Sequence, residues 1–213
     1  MKIALINENS QAPKNALIFD VLKHVAEPLG YTCFNYGRYS AEDPHERTYV
    51  QSGFLAALLL NAKAADYVIT GCGTGEGAML ACNSFPNVLC GLAEDPMTAY
   101  LFAQVNDGNA LAIPFAKGFG WGGEINLTYI FERLFGCASG QGYPKEWAEA
   151  EHRNKDILDQ VKQVSHQDFL HILDNLDREF MRGTMAEESF QQMFFQNCQV
   201  PEIAERVKEI LAD

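Results

Sequence analysis

The segment running from Tyr67 to Asn83, YVITGCGTGEGAMLACN, constrains the fold more than any other. An apolar, strand-like run ends in a cysteine set inside a glycine loop, and the loop opens into a helical stretch. A strand feeding a helix through glycines is half of a βαβ unit, and its loop is where backbone N–H groups converge on a helix N-terminus. Such a spot stabilises anions, thiolates included. Cys72 stands there, with Thr74 two residues on and with Gly71, Gly73, Gly75 and Gly77 clearing the approach to the backbone. The alternative for the same residues is a tight turn holding an inert, buried thiol.

The surrounding chain extends this unit into an alternating series. Lys2–Asn7 reads as a strand, Lys14–Leu29 as a helix closed by Gly30, Thr32–Asn35 as a second strand and Thr48–Lys63 as a second helix. Tyr67–Gly71 is the third strand, with its helix over 75–83. Val88–Leu92 and Ala110–Ile113 are the fourth and fifth strands. Between them lies a helix capped by Asp95 with Pro96 at its first position, running on to Gln104. A further helix covers 124–135. Alternation of this kind predicts an α/β fold, a three-layer Rossmann-like sandwich around a five-stranded parallel sheet. Ligands of such sheets bind beyond the carboxyl ends of the strands, where Cys72, Glu8 and Asn9 all fall.

From Gly136 the pattern changes. CASGQGYP is rich in turn residues, and the remainder is charged and helical. We divide the chain into a Rossmann-like domain, 1–140, and a helical C-terminal extension, 141–213, of three or four short helices. Ser165-x-x-Asp168 and Thr184-x-x-Glu187 read as capping arrangements, the second a capping box before Phe190, Met193 and Phe194. That apolar stripe reads as packing, as do Trp121 and Trp147, and Cys82 and Cys90 read as small core residues. Pro201 opens a last helix carrying Ile203, Val207, Ile210 and Leu211.

Composition narrows the function. The net charge of −12 argues against nonspecific nucleic-acid binding, which needs Lys and Arg at phosphates, and requires local positive potential for any anionic substrate. No run approaches the roughly 20 apolar residues of a membrane span, and MKIALINEN turns polar too early for a signal peptide. A cytoplasmic protein is expected. The six cysteines show no CxxC pair or zinc spacing, which fits free thiols. The five histidines, at 24, 45, 152, 166 and 171, offer no metal pair at helical spacing, so no metal is assigned.

Two motifs together carry a resemblance. Cys72-Gly73-Thr74-Gly75-Glu76-Gly77, followed by Ala81-Cys82-Asn83 and then by Val105-Asn106-Asp107-Gly108-Asn109, resembles the ribose-5-phosphate isomerase B and galactose-6-phosphate isomerase family over about residues 1–155. The resemblance implies an aldose–ketose isomerase acting on a small sugar phosphate through an enediolate, without metal or organic cofactor. It also implies a homodimer or homotetramer with active sites at subunit interfaces. Cys72 matches the family's base, with Thr74 as proton relay. Gly73, Gly75 and Gly77 are the loop that would hold the enediolate. Asn106 matches the asparagine that holds substrate hydroxyls, and Glu8 and Asn9 stand at the family's Asp-His after strand one.

Departures accompany the match. Valine at 105 replaces the histidine that the family implies for ring opening, and Asn9 replaces the other imidazole. A sugar that reacts from its open chain, such as a tetrose or a ketose derivative, fits that loss. Glu76 is open to two readings, as substrate ligand or base in place of Cys72, or as plain complement to a helix dipole. Arg38 and Arg153 are candidate anion ligands, with Lys117 a further one and a solvated surface charge the alternative for each. A noncatalytic sugar- or phosphate-binding module on the same scaffold is the competing class.

Overall fold

The computed structural model describes residues 1–212. Five strands form one parallel sheet: β1 (Lys2–Asn7), β2 (Thr32–Asn35), β3 (Tyr67–Cys72), β4 (Cys90–Leu92) and β5 (Ala110–Pro114), in the order β2-β1-β3-β5-β4. Every strand pair is parallel, as the alternating pattern requires. The expected α/β class and its five parallel strands are therefore present. β4 starts at Cys90 and not at Val88, since the Leu89 N–H donates to the Asn109 side-chain Oδ1, at 2.8 Å, and not to a strand.

One face of the sheet carries α1 (Asn15–Ala26) and α5 (Gly123–Phe135). Their inward residues Ile18, Leu22, Leu127, Ile130 and Phe131 pack on Ile3, Leu5, Ile69 and Leu111. A 3₁₀ turn over Glu27–Leu29 ends α1, and Gly30 takes the left-handed conformation (φ 81°) expected of its cap. α4 (Pro96–Leu101) begins at the Asp95 cap, whose side chain accepts the Thr98 N–H at 2.8 Å, and then widens into a π turn over Phe102–Asn106.

The other face carries α2 (Tyr49–Asn61) and α3 (Glu76–Asn83). Thr48 and Gln51 close a reciprocal capping box at the start of α2. Ser52 through Leu59 are all buried, so this helix is enclosed on every side. Its sequence is apolar all round, the pattern of a helix with no solvent face. Gly53 lets it approach α3 closely: a Cβ there would lie 2.6 Å from that of Ala81.

What covers the outside of α2 is the C-terminal extension. After α6 (Ala148–Ser165) come α7 (Phe169–Asn175), α8 (Arg178–Met185), α9 (Glu188–Asn197) and α10 (Pro201–Ala212). That is five helices where the composition suggested three or four. Phe169, Leu173, Met181, Phe190, Phe194 and Val207 join Phe54 and Leu58 in one continuous core. Phe54 alone meets Phe85, Phe169 and Phe180 at centroid distances of 6.1, 6.3 and 5.9 Å. The stripe at 190 and 194 is packing, as expected, and so are Cys82 and Cys90.

Three expectations fail. Thr184 does not cap α9; it lies inside α8 and its hydroxyl donates to the Phe180 carbonyl at 2.7 Å. Glu187 instead pairs with Arg47, and that competing ion pair removes it from any capping box. Asp168 does cap α7, but Ser165 belongs to the end of α6. Trp121 and Trp147 are exposed, not packed. Among the described residues, no helix is long and apolar enough to cross a membrane.

Candidate active site

The connection after β1 leads to one side of the sheet and that after β3 to the other, so a crevice opens between their carboxyl ends. Asn7 pairs with Gly71 in register, and the next residues, Glu8 and Cys72, flank this crevice. Cys72 is half-buried and, like the other five cysteines, forms no disulfide. The loop behind it is pinned through its carbonyls. Phe115 N–H donates to the Cys72 oxygen and Ala116 N–H to that of Gly73, each at 3.0 Å. The amides of Gly73, Thr74 and Gly75 donate to no backbone carbonyl among the described residues. They remain free for a ligand at the start of α3, a backbone nest for negative charge.

The glycines serve close packing. Gly75 has φ 76°, and a Cβ there would meet Leu92 Cδ1 at 2.5 Å and the Pro114 nitrogen at 3.0 Å. At Gly71 a Cβ would stand 2.2 Å from the Ile113 carbonyl oxygen and 2.4 Å from the Phe115 ring. Backbone cannot give way as a side-chain tip can. Gly71→Ala is therefore expected to cost about 3 kcal/mol of stability, read as a lower denaturant midpoint at an unchanged slope.

Glu8 is buried, and its carboxylate accepts the Ser10 N–H at 3.0 Å as well as the Ser10 hydroxyl. Gln11 donates to the Ser10 hydroxyl oxygen at 2.8 Å, and Lys14 donates to Gln11 Oε1, also at 2.8 Å. Asn7, wholly buried at the end of β1, leaves its Oδ1 without a partner. Thr74 and Glu76 are exposed beside the cysteine loop, and the Tyr49 ring lies 3.3 Å from where a Cβ on Gly77 would sit.

Asn9 and Arg38 are hydrogen-bonded to each other. Asn9 Oδ1 accepts from Arg38 Nη1 and from the Arg47 N–H, both at 2.6 Å. Arg38 also donates to the carbonyls of Ser40, Ala41 and His45. Together they brace the loop before α2. Asn106 and Arg153 stand apart from Cys72 altogether. Asn106 ends the π turn ahead of β5, whereas Cys72 pairs with Pro114 at that strand's far end. The four steps of β5 from Ala110 to Pro114 alone span about 13 Å along the sheet. Arg153, on α6, is ion-paired with Glu149 at 2.6 Å. Asn106 and α6 line a cavity of about 160 Å³ with Val105, Glu151, Asn154, Lys155 and Leu158.

Gln11, Lys14, Tyr49 and Arg47 escaped the sequence reading. Lys14 carried a weak signal as the basic residue after Pro13, at a helix start where a cation is electrostatically misplaced. Asp43, His45 and Glu187 bring ligand-type atoms within 4.8 Å of one another, but Arg47 already occupies Glu187 at 3.2 Å, so the group reads as an ion-pair network.

The profile of the Ribose/Galactose Isomerase family matches residues 3–156. The chain belongs to that family. A second profile, described as ribose-5-phosphate isomerase, matches residues 164–210. A crystal structure of 4-deoxy-L-threo-5-hexosulose-uronate ketol-isomerase complexed with a tartrate is 57% identical, covers 100% of both chains and superposes with a TM-score of 0.98. Ribose-5-phosphate isomerase from Vibrio parahaemolyticus is 48% identical over 99% of each chain, with a TM-score of 0.96. Type B ribose 5-phosphate isomerase of Trypanosoma brucei, 19% identical, covers 75% of this chain and 97% of its own at a TM-score of 0.64 and shares the fold. No curated protein sequence matches the isomerase described here.

Proposed function

We propose that this isomerase is a ketol-isomerase of an open-chain acidic sugar, 4-deoxy-L-threo-5-hexosulose-uronate or a close analogue, with Cys72 as its base. The observation that carries the chemistry is the half-buried thiol beside three unengaged amides at the mouth of the β1/β3 crevice. Cys72 as thiolate takes the proton from the hydroxyl-bearing carbon, and the electron pair moves into an enediolate. The amides of Gly73 and Gly75 stabilise its oxygen, and Thr74 carries the hydroxyl proton between the two oxygens. The same sulfur returns its proton to the former carbonyl carbon. Glu8 and Asn106 hold substrate hydroxyls.

The whole-length identity to the uronate isomerase supports an acid sugar. So does the loss of both imidazoles, at Asn9 and Val105, because an open-chain aldehyde needs no ring opening. A sugar phosphate is the second reading, favoured by the whole-length likeness to the Vibrio isomerase.

Asn106 would join Cys72 from a second copy of the chain, making a homodimer with shared sites. Supporting this is α6, an 18-residue helix with no buried residue that exposes Ile157, Leu158, Val161 and Val164 along one stripe. The test is turnover of the uronate against ribose 5-phosphate. A preference for the uronate of at least about tenfold in kcat/KM is expected. A preference for the phosphate would replace the first reading with the second, and turnover of neither would leave a binding module.

A further inference from the structure

A protein of net charge −12 that takes an anionic substrate needs a cation at its crevice with bonding capacity to spare. The cations of the carboxyl rim differ sharply in this. Arg38 donates to three carbonyls of its own loop and to Asn9 Oδ1. Arg47 is buried against Tyr36 and Glu187, and Lys117 is paired with Glu94 at 3.1 Å. Lys14 is half-buried and forms no ion pair with any carboxylate of the described residues.

The ammonium of Lys14 donates to Gln11 Oε1 and to the Phe115 carbonyl, and it lies 4.8 Å from the centre of the Phe119 ring. An ammonium has three N–H groups, so one remains unused. Both partners touch the cysteine loop. Phe115 N–H holds the Cys72 carbonyl, and Gln11 Nε2 sits 4.0 Å from the position of a Cβ on Gly73. Burial lowers the pKa of Lys14, a sign that its charge is incompletely solvated in the free protein.

We infer that Lys14 is the specificity residue that receives the carboxylate of the acid sugar, its third N–H completing a charge-assisted hydrogen bond beside the glycine loop. The inference rests on the isomerase reading above and adds the residue that selects the anionic substrate. Gln11 holds the ammonium in place, and through Ser10 the same string orients Glu8, so anion recognition and hydroxyl recognition share one scaffold.

The experiment compares wild type and Lys14→Gln on 4-deoxy-L-threo-5-hexosulose-uronate and on its uncharged methyl ester. The variant is expected to raise KM for the acid about 10- to 100-fold, with kcat and the ester's kcat/KM changed less than about threefold. Equal losses on both substrates mean a merely structural lysine and overturn the inference, as does an unchanged KM for the acid. Lys14→Arg keeps the charge and decides the matter should the glutamine variant not fold. Its KM for the acid is expected within about fivefold of wild type, and a larger rise rejects the assignment.

Calorimetric titration with tartrate, a hydroxylated dicarboxylate, separates this inference from the enzyme reading. Binding weakened about tenfold or more by Lys14→Gln supports the anion site even in a protein that turns nothing over. Unchanged binding overturns it, and so does a wild type that neither binds tartrate nor turns over the acid.

Discussion

Cys72→Ser will abolish most of the isomerase turnover, by about 10²- to 10⁴-fold in kcat, while leaving the protein folded. The reaction needs a base that is ionised and stays within reach of two adjacent carbons. A thiol meets the first condition far more readily than a hydroxyl beside the same amides. Serine is smaller and fits the half-buried position at the end of β3 without disturbing the Phe115 bond to the main-chain carbonyl. Washing protons from the substrate into deuterated water reads the step directly. Wild type will exchange the hydrogen on the hydroxyl-bearing carbon, and the serine variant will not, though it will still bind substrate. Exchange that survives Cys72→Ser at the wild-type rate removes the sulfur from the mechanism and leaves Glu76 as the carboxylate to examine.

The largest effect on stability is expected at Glu187. Arg47 is 1% exposed, its guanidinium donating to the Tyr36 carbonyl and to Glu187 Oε2 at 3.2 Å, and the Glu187 side chain is only 7% exposed. Burial pushes the Arg47 pKa down and the nearby Glu187 carboxylate opposes that shift. Glu187→Ala strands a buried cation whose Nε already lacks a partner. Removing one member of such a pair costs about 3–5 kcal/mol, on the order of 10 °C in Tm for a chain of this length. The double variant Arg47→Met/Glu187→Leu is expected to recover most of the loss, since two apolar groups leave no charge behind. A Glu187→Ala protein as stable as wild type would show that water reaches the guanidinium.

The sheet was legible because strand and helix periods alternate cleanly from Lys2 to Phe135 and because the Gly30 backbone and the Asp95 side chain cap helices within four residues of themselves. The cysteine loop was legible for the same local reason. Long-range pairing hid the rest. Nothing near Glu187 in the chain announces Arg47, 140 residues away, so a local motif suggested a capping box that the ion pair overrides. Asn9 and Arg38 stand where substrate ligands were expected, yet a bond of 2.6 Å between them braces a loop. The burial that distinguishes Lys14 from an ordinary helix-start lysine exists only once Phe115 and Phe119 fold over it. Asn106 and Arg153 follow the family motif in sequence, but the strand direction of β5 sets Asn106 at the opposite edge from Cys72.

The enclosure of α2 makes the tail part of the same folding unit as the sheet. Without the helices that follow α6, Phe54 and Leu58 would lose their cover and meet water. A chain cut before α7 is therefore a sticky protein and not a smaller working unit, since it bares an apolar helix face that the tail otherwise hides.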